Sequence, residues 1–221
     1  MTAPTYTGIG SRSTPPDQLQ RMRDLAAMLA REGYELRSGG ADGADVACEE
    51  GCDRAGSAKS IWLPWPGFQN RRPDAARRTF LPDPRAFDMA AQLHPRWPML
   101  TRGPRALHAR NVPQILGHTL DNPSEFTLCW TADGAQSAAD VNSKTGGTGT
   151  AIRLASQRGV PVFNLARVGA EEALLAFLAQ RRAERLAAPG QADTAAHEAE
   201  EEETGQDEPD RPRNILRFPT R

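Results

Sequence analysis

Apolar side chains recur along this chain in two alternating rhythms. Short apolar runs at Tyr6-Thr7-Gly8-Ile9-Gly10, Tyr34-Glu35-Leu36-Arg37, Lys59-Ser60-Ile61-Trp62-Leu63, Glu125 to Thr131 and Val160 to Leu165 read as strands, the third stopped by Pro64. Between them the apolar positions change to helical spacing, as in Leu19, Met22, Leu25, Ala26 and Leu29, which lay one face of a helix on a sheet. Thr14 stands where a cap is needed, with Pro15 at the first helical position and Asp17 three residues after the cap, and Gly33 ends this helix. Further helices are predicted over about 43–55, 104–120 and 171–186, and after the glycines at 146–149. Pro113 sits badly inside the second of these and moves the start of its regular part toward Asn111.

Alternating strands and helices with short connections predict an α/β fold, a doubly wound, mainly parallel sheet with helices on both faces. The domain spans residues 1–186 and carries an insertion at 64–104, where the pattern is lost. That insertion is rich in proline, arginine and aromatic residues, among them Trp65, Phe68, Arg71, Arg72, Arg96 and Trp97. One short helix is expected in it, from Asp83-Pro84 through Phe87, Met89, Ala90 and Leu93. Arginine mixed with tryptophan and phenylalanine suits base stacking and phosphate contact, and equally suits a surface insertion whose aromatics only pack it down.

Three glycine-rich turns fall where a strand hands over to a helix. Gly10-Ser11-Arg12 follows the first strand, Ser38-Gly39-Gly40-Ala41-Asp42-Gly43-Ala44-Asp45 the second, and Gly146-Gly147-Thr148-Gly149-Thr150 opens a late helix. Glycine permits backbone angles closed to other residues, and the free N–H groups of a new helix attract anions, so each turn can hold phosphate. In a parallel sheet such turns share the carboxyl edge, where ligands bind at the point of strand-order reversal. Arg12 can reach a phosphate with a forked pair of hydrogen bonds. Asp42 would repel phosphate and is read as the cap of the second helix; Asp45 either has a structural duty or accepts from a ribose or base. Arg110 and Asn111 complete the pocket, and Lys144 neutralises charge beside Thr148 and Thr150, whose hydroxyls serve a second phosphate.

Composition adds three constraints. The 221 residues carry a formal net charge of −1, but residues 187–210 hold only small, polar and acidic side chains, with Glu200-Glu201-Glu202-Glu203 at their centre. Residues 187–221 are therefore expected to be a disordered tail, acidic and then basic, leaving a basic body suited to a phosphate-bearing partner. No run approaches the ~18 apolar residues of a membrane span and the N-terminus lacks the regions of a signal peptide, so a cytoplasmic protein is expected. Cys48, Cys52 and Cys129 have no completing ligand pair and read as packing residues, with no metal site and no cofactor beyond the nucleotide ligand itself.

Taken together, Gly8-Ile9-Gly10-Ser11-Arg12, Ser38 to Asp45, Arg110-Asn111 and Gly146 to Thr150 resemble the Rossmann-like superfamily shared by DprA (Smf) DNA-processing proteins and LOG-type nucleoside-phosphate hydrolases. The resemblance spans about Tyr6 to Leu165. Its most specific part is the second turn, close to the Ser-Gly-Gly-Ala-x-Gly-Ile-Asp pattern of the DprA branch, with Ala44 in place of isoleucine. It implies a nucleotide pocket and, for the DprA branch, binding of single-stranded DNA to assist recombinase loading. The LOG branch carries a glutamate shortly after its glycine motif, where this chain has Ala151-Ile152-Arg153-Leu154. An enzyme cleaving or transferring the N-glycosidic bond of a nucleoside phosphate would need Asp45, Glu49 or Asp140 in its stead. A nucleotide-sensing regulator acting through the tail is a third reading, and the sequence leaves open a second copy of the chain or another protein as partner.

Overall fold

The strands assemble side by side because five of the six are largely buried on both faces and must be covered from both sides. The computed structural model describes residues 3–187. Their elements are β1 (Thr5–Gly10), α1 (Pro16–Arg31), β2 (Glu35–Ser38), α2 (Ala44–Arg54), β3 (Lys59–Trp62), β4 (Thr79–Phe80), α3 (Arg85–Leu93), α4 (Arg102–Leu116), β5 (Phe126–Trp130), α5 (Gly149–Gln157), β6 (Val162–Asn164) and α6 (Ala170–Ala187), with single-turn helices at Phe68–Asn70, Trp97–Met99 and Gly146–Thr148. The strands form one sheet in the order β4-β3-β2-β1-β5-β6, parallel throughout.

The chain moves outward from β1 to β4, then returns and places β5 on the other side of β1, so strand order reverses between β1 and β5. Their register runs from Tyr6 opposite Phe126 to Gly10 opposite Trp130. On one face, Gly8 of β1 lies so close to Cys48 of α2 that a Cβ there would meet its Sγ at 2.7 Å. Tyr6, Tyr34 and Phe126 fill the same side as an aromatic cluster with ring centroids 5.5 to 6.5 Å apart. On the other face, Thr7 donates to the Gln114 carbonyl of α4 (2.7 Å), and Ile9 and Cys129 join a core with Val112, Ile115, Leu116, Ile152 and Leu154. All three cysteines are buried and free, and burial pushes the thiols of Cys48 and Cys129 up. Among the described residues no helix is long and apolar enough to cross a membrane.

The doubly wound α/β reading holds, with local corrections. The insertion supplies a sixth strand, β4, which pairs Thr79 and Phe80 with Ile61 and Trp62 of β3; two residues are too few to leave a period in the sequence. The expected helix there is α3. Helix α4 begins at Arg102, and Pro113 lies within it; the proline removes only the bond that the Ala109 carbonyl would have received. Thr14 is not the cap of α1: the helix starts at Pro16, and the Thr14 hydroxyl donates to the Ser11 carbonyl (2.7 Å), tightening the preceding turn instead. The expected tail beyond residue 187 lies outside the described residues. The chain divides into units Met1–Leu174 and Leu175–Arg221, and all that follows concerns the first.

Helices α1 and α2 cross at Gly51, where an added Cβ would lie 2.2 Å from the Arg23 carbonyl oxygen and 2.7 Å from Ala26 Cβ. Replacing a mid-helix glycine by alanine ordinarily stabilises a helix by about 1 kcal/mol. Here Gly51→Ala is expected to destabilise by about 1–3 kcal/mol, because the obstacle is backbone and overpacking must move a helix. Urea unfolding of the full chain measures the sign; a gain in stability would contradict this packing.

Candidate anion-binding site

At the carboxyl edge of the sheet, beyond the end of β1, lies a cavity of about 330 Å³. The β1 turn contributes Gly10, Ser11 and Arg12, and α4 contributes Leu107, Arg110 and Asn111. Lys144 to Thr148 close the third side, and Ala41 of the second turn completes the lining. Ten of the residues singled out from the sequence thus meet here, brought from positions as far apart as Gly10 and Thr148.

The remaining eight stand behind or beside the cavity, each with a different task. Ser38 donates to the Gly8 carbonyl (2.7 Å), tying β2 to β1. Gly39 makes room for Arg110, since a Cβ at that position would lie 1.1 Å from its Nη1. Gly40 and Gly43 take positive φ, +66° and +85°, and Gly43 abuts the backbone of Ser11 and Arg12. Asp42 does not cap α2, which has no side-chain cap; it accepts from Gln69 Nε2 (2.7 Å) in the insertion. Gly149 packs on Val141, and Thr150 bonds to His108 Nδ1 (2.8 Å), facing away from the cavity.

Asp45 decides how the first two turns are used. It is 1 % exposed, and its carboxylate accepts from the amides of Gly10 (3.3 Å) and Ala41 (3.3 Å) and from Arg110 Nη1 (3.0 Å). The Ser11 amide donates to the Trp130 carbonyl (3.0 Å). The amides of Gly10, Ser11 and Ala41, which the sequence suggested for a phosphate, are therefore engaged by the protein itself, two of them by one internal carboxylate. What faces the cavity instead is cationic. Arg110 lines it, although its Nε is shielded within the wall and has no hydrogen-bond partner, and neither Arg12 nor Lys144 has a carboxylate within 4 Å among the described residues.

The insertion adds a residue whose role the sequence pattern did not single out. Phe68 is buried against Ala41, Ile61 and Leu63, and its ring underlies both Arg12 (5.8 Å) and Arg110 (5.9 Å). Cation–π contact holds two like charges near each other at the cavity wall. Thr145 was also missed: its hydroxyl bonds Asp133 and accepts from the Asn142 amide (3.0 Å), which fixes the loop ahead of Gly146. Asn111 donates to the Gly147 carbonyl (2.9 Å) and holds that loop against α4. Any proline-poor polar loop before the glycines would look the same in sequence, so only the fold reveals these ties.

No carboxylate lines the cavity. Glu49 is buried beneath Arg71 (2.7 Å) and Lys59 (3.6 Å), where burial raises its pKa against the pull of both cations. Asp140 accepts from the Gln136 and Ser137 amides. Among the described residues, those charged side chains that line the cavity are the cations Arg12, Arg110 and Lys144. Across the Gly146–Gly147 loop a second cavity of about 390 Å³ is lined by His94, His108, Arg96 and Arg153. The two imidazoles lie 4.4 Å apart, and burial first, then His94 and Arg110, lowers the His108 pKa from 6.5 to about 4.

No known protein-family model matches the chain, and no curated protein does. Among solved structures it is similar to DNA processing protein A from Helicobacter pylori, whose single-stranded DNA binding mode has been described, at 22 % identity and a TM-score of 0.45 over 74 % of this chain. The chain spans 65 % of that protein's length. It is also similar to the Moco carrier protein from Chlamydomonas rheinhardtii, at 17 % identity and a TM-score of 0.44 over 80 % of this chain and 85 % of that one. At these values the likeness concerns fold and not ligand.

Two outcomes follow for stability. Gly39→Ala should displace Arg110 and break its pair with Asp45, a loss of about 3 kcal/mol in urea unfolding, and should cost far less in an Arg110→Ala background; equal costs in both backgrounds would refute the notch. For His108 the folded pKa is depressed, so above pH 6.5 the group is neutral in folded and unfolded chains alike. Between 6.5 and about 4 the unfolded chain takes a proton that the folded one refuses, and stability falls with falling pH. His108→Gln should flatten that fall in thermal unfolding measured across the window.

Proposed function

We propose that the carboxyl-edge cavity binds the phosphate of a nucleotide, with single-stranded nucleic acid as the form of ligand it suits best. One observation carries the reading: Arg12, Arg110 and Lys144 line one cavity that no carboxylate lines, and Arg12 and Lys144 lack carboxylate partners among the described residues. A phosphate entering there would supply the counter-charge that Arg12 and Lys144 lack, through charge-assisted hydrogen bonds. The resemblance of Ser38 to Asp45 to the DprA branch supports the same reading.

The surroundings favour a strand over a lone nucleotide. Trp65, 39 % exposed, packs edge-on against Phe68 with ring centroids 5.3 Å apart, and Phe68 in turn underlies Arg12. An open indole beside a phosphate grip suits a base stacked next to its own backbone. A glycosidic-bond enzyme has less support. Asp45 has both carboxylate oxygens engaged, and Glu49 and Asp140 do not line the cavity. Cytoplasmic placement, and partners bound through residues 187–221, belong to the same proposal.

Fluorescence anisotropy with a labelled single-stranded oligonucleotide across a salt series tests it. Binding should weaken steeply with salt. Each of Arg12→Ala and Lys144→Ala should lower both the affinity and the slope of log K against log salt, by about 0.7 for every phosphate left without its cation. Trp65→Ala should reduce affinity with the slope unchanged. Absence of binding to any oligonucleotide at low salt would refute the strand, and release of free base from nucleoside monophosphates would favour the enzyme.

A further inference from the structure

A cavity of about 630 Å³ shares no lining residue with the carboxyl-edge site. It lies over β2, β3 and β4 where α4 ends, lined by Arg37, Trp62, Arg78, Phe80 and His118 and by two carboxylates, Glu35 and Glu125. Its two arginines differ in what they have left to give. Arg78 is committed, donating to Glu35 (2.6 Å) and twice to Ser60 (3.0 and 3.2 Å). Arg37 is 7 % exposed and donates from Nη1 to the Asn122 carbonyl (2.6 Å); no carboxylate stands within 4 Å of it among the described residues. A guanidinium has five N–H donors, so most of its capacity remains for what enters the cavity.

The backbone is shaped around that group. Gly117, at φ +72°, ends α4 so close to Arg37 that a Cβ would meet its guanidinium at 3.1 to 3.2 Å. Burial, with Arg78 nearby and Glu35 opposing, lowers the Arg37 pKa to about 10, which marks a cation stripped of water. Beside it the aromatic rings form a ladder: Trp62 and Phe80 with centroids 5.8 Å apart, then Phe80 and His118 at 5.1 Å. Trp62 is buried, Phe80 half-buried and His118 exposed, so the ladder opens outward.

We infer that this cavity is a second ligand site, for an aromatic ring that carries a phosphate, with the ring on Phe80 and His118 and the phosphate on Arg37. A volume of this size accommodates a mononucleotide. The placement separates it from the strand-binding edge, so a small nucleotide could occupy it while a strand is bound elsewhere.

Calorimetric titration of the full chain distinguishes the two sites, using adenosine and guanosine monophosphates, adenosine and inorganic phosphate as probes. In an Arg12→Ala/Lys144→Ala background, at least one monophosphate should still bind saturably, with adenosine and phosphate alone at least about tenfold weaker. Arg37→Met should weaken that binding by about tenfold, the loss of a charge-assisted hydrogen bond. His118→Ala, on an exposed side chain, should also weaken it and serves where Arg37→Met does not fold. Nucleotide binding that disappears entirely in the Arg12→Ala/Lys144→Ala background, or that survives both Arg37→Met and His118→Ala, overturns this site and leaves the carboxyl-edge reading standing. Binding lost on Arg37→Met but untouched by the Arg12 and Lys144 changes supports it and counts against the other.

Discussion

The pair between Arg110 and Asp45 organises the carboxyl edge. It is buried on both sides, with the side chains 8 % and 1 % exposed, and it joins α4 to the first turn of α2. Two ions taken out of water rarely repay their desolvation by mutual attraction alone. Here the carboxylate gathers more: two backbone amides, from the turns after β1 and β2, and the positive end of α2. The guanidinium does not receive the same completion, because its Nε lacks a partner. The imbalance falls on the side of the pair that lines the cavity.

That asymmetry changes what the glycine turns are for. A strand-to-helix turn that exposes its amides can hold phosphate directly, whereas this chain supplies an internal carboxylate to the amides of Gly10 and Ala41 and meets the solvent with arginine and lysine. Recognition through side-chain cations on α4 and the loops is less tied to one phosphate position than a cradle of amides would be, since long side chains can follow a ligand and fixed backbone donors cannot. The reversal of strand order between β1 and β5 gives such a site its depth, and the insertion gives it an aromatic wall in Phe68.

The parts of this structure that were legible in the sequence are those written locally. Alternating apolar rhythms marked five of the strands and the helices, and glycine runs marked the three turns, because strand burial and positive φ are imposed residue by residue. What escaped was decided at a distance. The Thr79–Phe80 strand exists only because β3 lies beside it, and Pro113 is tolerated because packing on both sides of α4 outweighs one missing bond. Asp42 looked like a cap from its position alone, but Gln69, twenty-seven residues on, claims its carboxylate. Arg110 was legible as a residue of the carboxyl-edge cavity, while the notch at Gly39 that seats it required knowing that β2 and α4 meet.

The glycines themselves separate the part of the site made for the fold from the part left for a ligand. At Gly10 and Gly43 an added Cβ would strike atoms of the chain at 2.6 to 2.8 Å, and at Gly39 the obstacle is Arg110 itself. Those positions are glycine because the protein fills the space. Gly146 and Gly147 are different: a Cβ there would meet nothing within 4 Å, and both line the cavity. Gly146 has a positive φ to account for it, but Gly147 does not. No internal contact demands a bare backbone at Gly147, and its effect is to keep one wall of the cavity open to close approach. Among the described glycines with nothing within 4 Å, Gly147 alone has no positive φ to account for it, and it stands beside Arg12, Arg110 and Lys144, as the proposed anion site requires.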